Sequence, residues 1–105
     1  MTSRPRYAKK DANQADIKAE LEQAGCLVLD VSQLAPLGFD LLVCYYHRDN
    51  YAPMWLAVEV KTEDGELTET EALRQAEMIE LFGDEAPITV ARSAEKVLQW
   101  FKATA

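Results

Sequence analysis

At 105 residues, 49% apolar and 28% charged, the chain has the make-up of one globular domain whose core needs no staples. No apolar run approaches the ~20 residues of a membrane span, and no apolar stretch follows the basic N-terminus, which argues against a membrane helix or secretory leader and for a cytoplasmic protein. The net charge of −7 speaks against a simple nucleic-acid binder.

The charge is uneven. Residues 1–10 hold Arg4, Arg6, Lys9 and Lys10 and no acid; with these set aside, 7 basic residues face 18 acidic ones, a balance of −11 for the remainder. The pattern predicts a flexible basic arm over 1–10, able to grip phosphate, on an acidic domain over 11–105. A solvated terminus with no function explains the same residues.

Asp11-Ala12-Asn13-Gln14 has the Asp-x-x-Gln form of a capping box, so the first helix is expected to start there and to end at Gly25, with Ile17, Leu21 and Ala24 on its apolar face. At about 100° per residue, Asn13 and Gln14 fall at the edges of that face, within reach of a site at the sheet, whereas Asp16 points aside. Cys26 to Val31 reads as a strand. Ser32 to Gly38 is a loop delivering Phe39-Asp40, and a second strand runs from there to about Tyr46. His47-Arg48-Asp49-Asn50 reads as a hairpin turn leading to a third strand, Met54 to Lys61. His47, the only histidine, is expected as a solvated turn residue rather than a base. Tyr45, Tyr46 and Tyr51 are suited to stacking on bases, but hairpin packing explains them more simply. Cys26 and Cys44 lie in strands with no histidine at ligand spacing and read as reduced core thiols.

Thr68-Glu69-Thr70-Glu71 is a second capping box, opening a helix to about Phe82. Its inward face is expected to be Ala72, Ala76, Ile79 and Phe82 with Gln75 in their midst, and Leu73 and Leu81 on the opposite side hint at a subunit contact. A short strand over Pro87–Ala91 and a last helix capped by Ser93, carrying Val97, Leu98 and Phe101 to the core, complete an α-β-β-β-α-β-α order. The hairpin makes the first three strands antiparallel, and the β-α-β connection adds a parallel one. The result is a mixed sheet with helices on both faces, an α/β domain.

Two stretches carry charge where apolar residues dominate: Phe39-Asp40-Leu41-Leu42-Val43 and Trp55-Leu56-Ala57-Val58-Glu59-Val60-Lys61. An unpaired buried charge is strongly disfavoured, so these charges need partners. Glu59 and Lys61 share a strand face. Asp40 on a neighbouring strand would complete an acid-acid-base cluster, and two carboxylates with open positions suit Mg²⁺ or Mn²⁺. A structural Glu59–Lys61 pair with Asp40 as a turn residue is the competing explanation.

The element order, with an acid opening the second strand and Glu-x-Lys closing the third, resembles the PD-(D/E)xK nuclease superfamily. The chain is most similar there to the small standalone VRR-NUC domains of bacteriophages, related to Holliday-junction resolvases. The matching stretches are Lys10–Gln14, Gly38–Val43, Leu56–Lys61, Leu67-Thr68 and Val90–Ser93. The resemblance implies a PD-(D/E)xK nuclease core in which Asp40, Glu59 and the Val60 carbonyl hold Mg²⁺ or Mn²⁺. It also implies that Lys61 orients the attacking water or balances charge on the phosphate. Phe39 stands where the family has Pro. Gln14 takes the slot of a first-helix glutamate, with Asp11 and Asp16 as weaker matches, and Gln75 that of a second-helix glutamine, about one turn late.

The activity implied is metal-dependent endonucleolytic hydrolysis of DNA, selective for branched forms such as Holliday junctions, by a homodimer in a bacterium or infected host cell. The −11 domain and the imperfect first-helix match leave room for an inactive protein of the same fold that binds nucleic acid or a protein partner.

Overall fold

A computed structural model describes residues 6–34, 37–47 and 52–104. The elements follow in the expected order: α1 (Arg6–Gln23), β1 (Leu27–Asp30), β2 (Leu41–His47), β3 (Ala52–Val60), α2 (Glu69–Phe82), a 3₁₀ turn (Gly83–Glu85), β4 (Ile88–Ala91) and α3 (Ala94–Thr104). The strands lie in the order β1-β2-β3-β4, antiparallel except for the parallel β3–β4 pair.

Alternation sorts the strands into two faces. Val28, Val43 and Leu56 align across β1–β3, as do Leu41 and Val58, and with Val60 they form the main core under Ile17 and Leu21 of α1 and Val97 and Phe101 of α3. Full burial of side chains such as Leu21, Leu41, Leu56 and Phe101 contributes roughly 1.5–3 kcal/mol each. Cys26 and Cys44 are free thiols, both raised above the ordinary range by burial.

The second face carries Leu42, Ala57 and Ile88 in one register line, with Asp40 and Glu59 toward the other end of the strands. Met78 of α2 packs here with Phe39, Ala57, Ala86 and Ile88. Coverage is partial: Leu27, Leu29 and Trp55 on this face remain exposed.

Two expectations are corrected. Helix α1 begins at Arg6, not at Asp11, so the Asp11-x-x-Gln14 pattern lies inside the helix. Arg6-Tyr7-Ala8-Lys9-Lys10 holds no glycine or proline, so nothing stops the helix from extending back. Arg4, and the side chains of Arg6, Lys9, Lys10 and Asp11, lie outside the described residues.

Helix α2 is also rotated from the expected phase. Ala72, Ala76, Ile79 and Phe82 are exposed, as are Leu73 and Leu81, and no residue of the helix is fully buried. The inward side is Glu71, Arg74, Gln75 and Met78. Polar anchors set this phase: Glu71 bonds Lys61 and the Thr68 backbone, and Arg74 Nε donates to the Leu37 carbonyl at 2.7 Å. An apolar stripe on a short helix yields when charge-assisted hydrogen bonds pull the other way.

The Leu37 contact draws the loop against α2 at Gly38, whose φ of +83° is the left-handed conformation and whose would-be Cβ lies 2.7 Å from Arg74 Cβ. Gly38→Ala therefore meets backbone strain and a collision together. A loss of about 2 kcal/mol is expected in denaturant unfolding; a midpoint equal to wild type would show that the loop is not held here.

Candidate active site

At its start β2 leaves the ladder. The Asp40 N–H donates to Val58 O at 2.9 Å, its carbonyl accepts from the Val31 N–H, and its Oδ2 accepts from the Val60 N–H at 2.8 Å. Asp40 thus brackets Glu59, to Val58 through its backbone and to Val60 through its side chain. Leu41 pairs with Val58 at the end of the ladder, and Asp40 and Glu59 beside them open into one cleft. Both are buried, Glu59 to 1% exposure, and both line a cleft of about 240 Å³ with Thr68 and Glu71.

Lys61 follows β3 directly, and its backbone is held on both sides. The N–H donates to Ala91 O at 3.0 Å, and the carbonyl accepts from Asn13 Nδ2 at 3.0 Å. Its Nζ lies 3.8 Å from Glu59 Oε2 and 2.7 Å from Glu71 Oε1. The buried acids and the lysine therefore neutralise one another in part, which burial requires.

Glu71 is the member that the sequence reading gave only a capping role. It has that role: its N–H donates to Thr68 Oγ1, and Oε1 accepts from the Thr68 N–H at 2.8 Å. The same Oε1 accepts from Lys61. Burial alone would raise the Glu71 carboxyl, but a hydrogen bond shared with Glu59, those from Lys61 and the Thr68 N–H, and the Lys61 charge outweigh it and lower it from 4.5 to about 2. A carboxyl depressed on folding contributes stability that is present above 4.5 and is lost as the pH falls toward about 2. Glu71→Gln is expected to flatten acid unfolding in that window; an unchanged acid limb would contradict the linkage.

Among the described residues Gln14 makes no hydrogen bond to Asp40, Glu59, Lys61 or Glu71. It is buried, but its Nε2 donates to Asp30 Oδ2 at 3.0 Å and to Ser32 Oγ at 3.3 Å. The cause lies in the sheet: Asp30 shares the α1 face with Val28, opposite the face carrying Asp40 and Glu59. Burial acts to raise the Asp30 carboxyl, yet bonds from Ser32 and Gln14 and the charge of Lys18 bring it below its ordinary value. Asn13, one residue earlier, is the α1 side chain that reaches the Lys61 backbone.

Gln75 faces inward as expected, one turn after Glu71, and its Nε2 is buried without a hydrogen-bond partner. The position nearest Lys61 on α2 thus belongs to Glu71. A glutamate four residues before Gln75 shares its helix face, and that spacing was the signal available in the sequence. Val60 packs its side chain into the main core and gives its N–H to Asp40. His47 ends β2, its side chain outside the described residues, as is Tyr51; Tyr45 packs on Phe101 of α3 with ring centroids 5.2 Å apart.

Among known proteins, no family model and no curated protein matches the sequence. A solved structure described as a VRR_NUC domain matches the fold with a TM-score of 0.65 at 22% identity, covering 92% of this chain and 98% of that one. The chain therefore has the fold of a VRR_NUC domain, in line with the mixed-sheet α/β architecture expected from the order of its elements.

Proposed function

We propose that this protein, built on a VRR_NUC-type nuclease fold, is a Mg²⁺- or Mn²⁺-dependent DNA endonuclease. The observation that carries the reading is the meeting of Asp40 and Glu59 in one cleft with Lys61 beside them. The donor set fits the ion. Among the described residues no three of His, Cys, Asp and Glu are grouped to hold a metal by themselves. Two carboxylates, with the Val60 carbonyl, water and phosphate oxygens completing the shell, are what Mg²⁺ accepts, whereas Zn²⁺ sites are built mainly on Cys and His.

When bound, such an ion polarises a phosphoryl oxygen and lowers the pKa of a coordinated water. The chain's own residues do the rest. Asp40 is locked by the Val60 N–H, so its carboxylate is presented in one orientation. Lys61 offers a cation to the charge that develops on the phosphate. Because the cleft is acidic, a polyanion is repelled until that charge is offset, and Arg4, Arg6, Lys9 and Lys10 are the cations assigned to phosphate contacts.

We further assign selectivity for branched DNA, such as Holliday junctions, and action as a homodimer, since a domain of this size covers one strand and paired cuts need two sites. The exposed Leu73 and Leu81 support a subunit contact. Those residues, with exposed Leu27, Leu29 and Trp55 and the acidic balance, equally favour a second reading, an inactive domain that binds a protein partner. Incubation of a labelled four-way junction and its matching duplex with and without Mn²⁺ separates the two. The nuclease reading expects Mn²⁺-dependent cuts concentrated on the junction. Intact DNA under all conditions overturns it in favour of the binding module.

A further inference from the structure

We infer that Glu71 is the positioning residue for Lys61, an inference that rests on the nuclease reading of the cleft. Lysine has a flexible four-carbon stem and a point charge, so its placement must come from its partners. Among the described residues Lys61 Nζ has two anionic partners, Glu71 Oε1 at 2.7 Å and Glu59 Oε2 at 3.8 Å. The nearer one decides where the ammonium sits. By holding it, Glu71 keeps Lys61 from closing onto Glu59, the carboxylate assigned to the ion.

Glu71 is itself fixed. Its Oε1 is shared between Lys61 and the Thr68 N–H, and its own N–H is bound to Thr68 Oγ1, so the first turn of α2 and the lysine are tied through one oxygen. One turn on, Arg74 fastens the same helix to the Leu37 carbonyl in the loop that delivers Asp40. The start of α2 thus spans both walls of the cleft. Gln75, one turn further along α2, leaves its Nε2 buried without a hydrogen-bond partner.

The test compares Glu71→Ala with Glu71→Gln. Glutamine keeps an oxygen for both Lys61 and the Thr68 N–H and remains a good third residue of a capping box; alanine offers neither. Circular dichroism first establishes that both fold. In single-turnover cleavage with Mn²⁺, Glu71→Ala is expected to lose about 10- to 100-fold, a typical cost of a misplaced group, with Glu71→Gln within a few fold of wild type. Independently of activity, the Lys61 ammonium should give a slowly exchanging ¹⁵Nζ correlation in wild type and Glu71→Gln, lost in Glu71→Ala. A Glu71→Ala protein that cuts and exchanges like wild type overturns the inference. So does a Glu71→Gln protein as damaged as alanine with its Mn²⁺ affinity gone, which would make Glu71 a metal ligand. If wild type cuts no DNA, the nuclease reading fails separately. The ammonium signal then decides the positioning role alone: loss confined to Glu71→Ala sustains the Lys61 contact, and an unchanged signal ends it.

Discussion

Glu59→Gln is expected to lower Mn²⁺-dependent single-turnover cleavage by at least about 10³-fold, the scale of several kcal/mol that a bound ion supplies to the transition state. The argument is one of donor chemistry in a buried place. Glu59 is 1% exposed, lines one cleft with Asp40, and is one of two carboxylates assigned to the ion. An amide of the same shape is a poor partner for a hard cation. Its burial is cheaper than that of a carboxylate, and Lys61 keeps Glu71 at 2.7 Å. Thermal unfolding should therefore stay at or above the wild-type midpoint while activity disappears. Retained cleavage would remove Glu59 from the site; loss of both activity and fold would assign it a structural role alone.

Lys61→Met is expected to act on chemistry and stability together. Loss of the one ammonium in the cluster removes a charge held for the phosphate, about 10²- to 10³-fold in rate by analogy with loss of a single charge-stabilising donor. It also leaves Glu59 and Glu71 without the cation that both of them contact, at 3.8 and 2.7 Å. Breaking a buried pair from one side costs roughly 3–5 kcal/mol. The deficit should shrink as the pH is lowered, because a Glu71 carboxyl no longer held down by Lys61 takes up a proton and relieves the unpaired charge. Urea titrations across a pH series, beside cleavage on a saturating junction, check both halves. A variant as stable as wild type at every pH would show that the two carboxylates do not depend on Lys61.

The element order and the mixed sheet were legible because the strands are short apolar runs separated by strong turn signals, and the Thr68–Glu71 box opens α2 as read. Asp40, Glu59 and Lys61 were legible for a different reason: charges inside apolar runs must be paired, and period-two alternation carries Glu59 and Lys61 to one face. What the pattern did not reveal was tertiary. The phase of α2 follows from Glu71 and Arg74 reaching backbone and lysine partners distant in sequence, which overrides a modest apolar stripe. Gln14 bonds Asp30 and Ser32 because β1 turns Asp30 toward α1, and that register is invisible from the α1 sequence alone. The start of α1 was misplaced because a plausible cap does not terminate a helix whose preceding residues are themselves willing to be helical.

The central claim is that Asp40 and Glu59 form a divalent-metal site, and its most direct test is calorimetric titration of Mn²⁺ into wild-type protein beside Glu59→Gln. The account predicts one saturable site per chain in wild type, weakened by at least about tenfold in the variant, where one of two charged ligands is lost. Equal Mn²⁺ binding by both proteins, or no binding by wild type, would contradict it.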